Sequence, residues 1–326
     1  MRPRVKLLVS VDTEEDNWVA TRDDVSVRNV RALPELHAFL VGLGLRPTYF
    51  VDYPVASDAT SAAILTDIAA DDRAEIGAHL HPWNTPPLDE PLTDRNTMMC
   101  NLPVGLQREK LARLRDALAR ATGREPTSFR AGRFGLGDEG VRLLIDAGFT
   151  ADSSVTPFVS WRAFAEGSDH RSAPLDCYRL DGEGPLDRPA AGGPLVEVPL
   201  SCGFTRRPFA WRTRAQALLD RPLAARLRLG AVATRTGLVR RVLGCPETDR
   251  LDDLLKLARC LVEEGVGFLH YFFHSPSLVP GLSPFVRTPE DRQRLLDDVE
   301  QLVAGIARFA DFEPATLRET AEALCP

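Results

Sequence analysis

The sequence predicts an α/β fold in which parallel strands alternate with helices. Short runs rich in Val, Leu, Phe and Tyr alternate with longer runs whose apolar residues recur at the helical period. Alternation of this kind implies parallel strands joined by right-handed crossovers. Several strand-like runs are apolar throughout, as expected when both faces of a strand are covered.

Taken in order, VKLLVSVD (5–12) reads as the first strand, and helical period follows over 28–43. That helix ends in LVGLGLRP, with Gly after the last turn and then Pro. PTYFVD (47–52) and AEIGAHLH (74–81) read as strands around a helix over 58–71. A helix over 104–122 ends in LARATGREP, again Gly and then Pro. SFRAGRFG opens as a strand, and helical period over 137–147 leads to the strand GFTADSSV (148–155). PLVEVPLS (194–201) and VGFLHYFFH (266–274) complete the strands, with helices over 212–222, 250–264 and 289–308.

Two segments break the alternation. PWNTPPLDEPLTDRNTMMCNLP (82–103) is a Pro-rich loop, and a loop of that length in a compact domain is functional or disordered. Residues 160–248 read as an insertion or variable flank within one domain spanning 1–326. Inside it, 206–241 carries ten arginines against one acid, Asp220. A solvated helix face is the plain reading; a patch for an anionic substrate or a membrane surface is the sharper one.

With 326 residues, 44% hydrophobic and 26% charged, the chain can build a large core. Its net charge of −6 argues against nucleic acid as a partner. No apolar run reaches the roughly 18 residues of a transmembrane helix. The opening MRPRVKLLVSVD is basic and then apolar, but its apolar run is too short for a secretory signal and acids follow at once, so a cytoplasmic location is expected. Six scattered cysteines without a CxxC pair read as reduced thiols.

The chemistry-bearing residues cluster at strand ends. In EIGAHLHPW, His79 and His81 are two apart and share a face of the strand. Two imidazoles aimed at one point suit a divalent transition metal. The first strand ends in Asp12, Glu14, Glu15 and Asp16, with Asp12 and Glu14 on one face. These acids either cap a turn or supply a metal-binding carboxylate and a general base. SFRAGRFG offers Arg130 and Arg133, which can hold a carboxylate ionised. The apolar strand ending at His274 presents a candidate general acid, with His270 deeper on the same parity. His37 and His170 have no such setting and read as structural.

VSVDTEED, EIGAHLHPW, SFRAGRFG, ADSSVTP and YFFHSPS occur in the order of the motifs of the polysaccharide deacetylase superfamily (NodB homology, carbohydrate esterase family 4). The chain resembles most closely the branch of the WalW lipopolysaccharide-biosynthesis proteins. The resemblance implies a distorted barrel of about seven β/α units, the (β/α)7 type. It also implies a metal-dependent hydrolase that removes acetyl from an N-acetylated sugar. Asp12 resembles the family's base, Glu14 the carboxylate ligand, His79 the first histidine ligand, Arg130 the arginine that tethers the base, and His274 the late histidine that protonates the leaving amine.

The sequence departs from the family's pattern at two points. Thr13 stands where an adjacent aspartate is usual, so Glu14, Glu15 and Asp16 compete as ligand. Trp83 stands where a second histidine is usual, so His81 must substitute. The expected cofactor is one divalent metal ion, zinc first, with cobalt, nickel and iron suiting the same donors. Expected substrates are an N-acetylated sugar, sugar nucleotide or lipid-linked oligosaccharide of cell-surface polysaccharide synthesis, with peripheral membrane contact compatible. Trp83, Arg133 and Phe134 are candidates to contact the sugar, and backbone N–H groups near 132–135 are candidates to hold the oxyanion. The alternatives are a metal-free or metal-assisted hydrolase of another linear amide, or a catalytically silent glycan-binding barrel.

Overall fold

The structure is a computed structural model that describes residues 2–219 and 239–325. Strand β1 (Arg4–Thr13) leads to helix α1 (Leu33–Gly42), strand β2 (Thr48–Val51), and helices α2 (Tyr53–Ser57) and α3 (Ala59–Ala70). Strand β3 (Glu75–Leu80), helix α4 (Val104–Thr122), strand β4 (Ser128–Ala131), helix α5 (Asp138–Asp146) and strand β5 (Ala151–Asp152) follow. Then come β6 (Tyr178–Leu180), β7 (Leu195–Glu197), β8 (Gly203–Phe204), α6 (Phe209–Leu219) and β9 (Arg241–Val242). Helix α7 (Leu251–Glu264), β10 (Phe268–His274), α8 (Pro289–Ile306), β11 (Asp311–Pro314) and α9 (Leu317–Leu324) complete the described elements.

The main sheet runs β10-β1-β2-β3-β4-β5-β7-β6, every neighbour parallel except β6 and β7. β1 pairs with β10 from Lys6 to Asp12, while its other edge is shared between β11 at Arg4–Leu7 and β2 at Ser10–Thr13. From Leu7 onward both faces of the strand are buried, which is why the run is largely apolar. The sheet curls into a distorted (β/α) barrel. The gap between its ends is bridged beyond β7: Ser201 N–H donates to His270 O at 3.0 Å, His270 N–H donates to Ser201 Oγ at 2.8 Å, and Phe272 N–H donates to Gly244 O at 3.1 Å.

Helices cover the strands through helically spaced apolar residues, such as Leu111, Leu114 and Leu118 of α4 and Leu295, Val299, Leu302 and Ile306 of α8. Gly123 closes α4 at φ 71°, a left-handed conformation that a side chain disfavours. β11 and α9 are absent from the sequence reading because 311–314 alternates between exposed and half-buried positions and carries no apolar pattern.

The long 82–103 loop is tied down. Lys110, fully buried on α4, donates from Nζ to the carbonyls of Pro82, Thr85 and Pro87 at 2.8, 2.7 and 2.5 Å, and pairs with Glu90 at 3.2 Å. Within 160–248, β6 and β7 belong to the main sheet, while β8 and β9 form a separate two-stranded sheet. Of the arginine-rich segment, Arg207 pairs with Glu263 and Glu264, and Arg240 with Asp253. Arg221, Arg226, Arg228 and Arg235 lie outside the described residues.

Candidate active site

Parallel strands deliver the polar residues to one end of the barrel. In the register of the sheet Asp12 sits opposite His274, and its row runs through Phe50 to Gly77; His79, two residues further along β3 on the same face, sits opposite Arg130. His79 donates from Nδ1 to Arg130 O at 3.0 Å, and His81 donates from Nδ1 to Glu15 Oε2 at 3.1 Å. With Nδ1 of each ring so engaged, the Nε2 lone pairs are free to face a common point. The two Nε2 atoms lie 3.0 Å apart, and Glu14 Oε2 lies 3.6 Å from His79 Nε2 and 3.3 Å from His81 Nε2.

Such a set favours a positive charge at its centre, carried either by a proton on an imidazole or by a metal ion. Burial opposes charge on His81, yet Glu15 and Glu14 lift its pKa well above the usual imidazole range. Glu14 stays below the usual carboxylate range despite burial, through its contacts with His79 and His81. A tetrahedral zinc held at ~2.0–2.1 Å would separate its ligand atoms by roughly 3.4 Å, close to the spacings observed. His79, His81 and Glu14 therefore fit a divalent cation.

The three acids turn to different partners, Glu14 to both Nε2 atoms and Glu15 to His81 Nδ1 beside Asp52. Glu15 lies behind His81, with Oε1 accepting Trp83 Nε1–H at 2.8 Å and its N–H donating to Asp52 Oδ2 at 3.0 Å. Its carboxylate orients the His81 imidazole through Nδ1. Asp16 is consumed by Ser26, Asn29 and the Arg28 N–H, and it fixes the turn after β1. Asp52 caps α2 through Val55 N–H, and burial together with Glu15 pushes its carboxyl well up.

Beside the histidines, Asp12 forms a very short ion pair with Arg130 Nη1 and lies 3.9 Å from His274 Nε2. Burial would raise its pKa, but Arg130, His79 and His274 hold it below the usual range. Arg130 is fully buried and fixed by Ser153 O, Ser10 Oγ, Ser153 Oγ and the face of Phe50. His270 lies beneath, bonded to Ser10 Oγ at 2.9 Å, with burial and Arg130 keeping it neutral. His274 Nδ1 meets Glu247 Oε2 at 2.6 Å; burial works against charge, but Glu247 raises the imidazole pKa to about 9.

These groups line a cleft of about 290 Å³, walled also by Trp18, Trp83, Arg133, Phe134, Trp161 and Phe164. Trp83 is largely buried, its ring stacked on His81 at 4.1 Å, so its principal contacts are with His81 and Glu15. Phe134 stacks on Trp161 at 5.5 Å, and the Arg133 guanidinium lies over Trp83 while donating to Thr97 Oγ1. In the 132–135 turn the Gly135 N–H is spent on Gly132 O at 3.1 Å, so that amide is not open to an oxyanion. Sequence reasoning missed Glu247, Trp18, Trp161 and Phe164, none of which stands in a chemically patterned run. His37 binds Tyr49 and Asp71, and His170 binds Thr156, both away from the cleft.

No protein-family model matches the chain, and no curated protein sequence matches it either. Solved structures do. A candidate polysaccharide deacetylase from Mycobacterium smegmatis is 17% identical, with 98% of this chain and 90% of that one covered at a TM-score of 0.55. A candidate glycoside hydrolase/deacetylase from Parabacteroides distasonis is 15% identical, with 98% and 70% covered at 0.57. An allantoinase is 12% identical, with 98% and 89% covered at 0.53. Barrel topology and these likenesses together give the chain the fold shared by those solved structures, a distorted (β/α) barrel.

Proposed function

We propose that the protein is a metal-dependent amide hydrolase that removes acetyl from an N-acetylated sugar. The observation that carries this reading is the convergence of His79 Nε2, His81 Nε2 and Glu14 Oε2 beside an ionised Asp12 and a charged His274. A divalent cation held by those three residues would polarise an amide carbonyl and acidify water, chemistry that no side chain here supplies alone. Zinc suits the donor set, as do cobalt, nickel and iron.

The chain's own groups supply the proton transfers. Asp12, kept ionised and oriented by Arg130, takes the proton of the attacking water. His274 faces the cleft across from Asp12 and carries the proton that the departing amine needs. Glu247 holds the His274 ring in place and stabilises its charge. Aromatic walls formed by Trp18, Phe134, Trp161 and Phe164 offer faces on which a sugar ring stacks, which favours a glycan over a small aliphatic amide.

Acetate release from a panel of N-acetylated sugars and non-sugar amides, with the metal-loaded protein, tests this. Turnover of sugars is expected. Asp12→Asn should lower it by about 10²–10⁴-fold with fold and metal content retained. Near-normal turnover in that variant would refute the role of Asp12.

A further inference from the structure

We propose that Cys245, Glu247 and His274 form a second divalent-metal site, suited to a thiophilic cation such as zinc or cobalt, and that filling it shuts the catalytic site down. One ligand atom from each lies within 4.8 Å of the other two. Cys245 Sγ is 3.5 Å from Glu247 Oε2, which is 2.6 Å from His274 Nδ1. Thiolate, carboxylate and imidazole are the donors that hold zinc in proteins. The catalytic set of Glu14, His79 and His81 has no sulfur, so the two sites differ in chemistry.

Two further features point to a ligand. Glu247 Oε1, the partner oxygen of the Oε2 that meets Cys245 and His274, is buried and has no hydrogen-bond partner, an unusual state for a carboxylate oxygen and one that bidentate coordination would relieve. The turn that carries Cys245 and Glu247 is also preformed: Asp249 Oδ2 accepts the N–H groups of Leu243 and Cys245 at 2.9 and 3.2 Å, and Asp249 N–H donates to Cys245 O at 2.8 Å. His274 lines the catalytic cleft, which gives a cation its way in.

Binding balances without redox chemistry. The S–H bond of Cys245 and the Nδ1–H bond of His274 break, metal–sulfur and metal–nitrogen bonds form, and two protons leave. The Glu247–His274 hydrogen bond is replaced, and the pair opens from hydrogen-bond separation to roughly 3.4 Å as both turn to the cation. The imidazolium that serves the leaving amine is then gone. The inhibitory consequence rests on the deacetylase reading; the site itself does not.

Cobalt(II) titration of the full chain tests both parts. The first equivalent should fill the catalytic site and give only weak visible absorption. Further cobalt should bring the intense near-ultraviolet thiolate-to-cobalt charge-transfer band, with release of two protons, and acetate release should be lost as the band grows. Cys245→Ser and Cys245→Ala should lack the band and stay active in excess cobalt. His79→Ala/His81→Ala should keep the band. No band in the wild type, or a band unchanged in the Cys245 variants, overturns the site. A band without loss of turnover overturns the inhibitory role. Because the band reads without substrate, a protein that hydrolyses no sugar would still report on this site.

Discussion

Glu15 Oε2 accepts the Nδ1 proton of His81 at 3.1 Å, while its other oxygen is held by Trp83. This fixes the tautomer that leaves His81 Nε2 free to ligate. Carboxylates in this position typically contribute 10–100-fold to metal affinity. Glu15→Gln should therefore weaken metal binding by roughly that factor, and activity should return at higher metal concentration. Competition with a chelating indicator measures it. Unchanged affinity would make Glu15 a packing residue only.

The His274–Glu247 pair sets a pH limit. The His274 pKa is raised, so the protonated ring and the stability its pairing contributes are fully present below the ordinary histidine value and are lost as pH rises through about 9. Turnover should fall over the same range. Glu247→Gln removes the anion and should shift this alkaline limb down toward the ordinary histidine range. A pH–rate profile of both proteins checks it, and an unmoved limb would assign the limb to another group.

Gly132 leaves no room for a side chain. A Cβ there would stand 2.4 Å from His81 Cδ2 and 2.9 Å from Leu80 O. Gly132→Ala should displace the His81 ring, cost about 1–3 kcal/mol of stability and weaken metal binding together with it. Thermal melts with and without added metal read both effects. A variant that melts and binds metal like the wild type would show that the strand end yields.

Much of this architecture is legible in the sequence because it rests on parity. Asp12, His79, Arg130 and His274 stand at the ends of apolar strands, where alternation fixes the face and the parallel sheet fixes the end. The choice among Glu14, Glu15 and Asp16 is not legible, because β1 ends at Thr13 and the turn beyond it decides where each carboxylate points. Arg28 and Asn29 capture Asp16, and His81 and Trp83 capture Glu15, all contacts distant in sequence. Glu247 reaches His274 from a loop with no periodicity, so only the fold reveals the pair. The proline-rich 82–103 loop looks unconstrained until Lys110 is seen beneath it, bound to three of its carbonyls.

Metal content is the most direct test of the central claim, that His79, His81 and Glu14 hold a divalent cation. Elemental mass spectrometry of Cys245→Ser, which lacks the proposed second site, after loading with zinc and removal of excess by gel filtration, should find one cation per chain. It should find none, or only a small residue, when His79→Ala/His81→Ala is added to that background. No bound metal in reconstituted Cys245→Ser, or an equal amount in both proteins, would contradict the account.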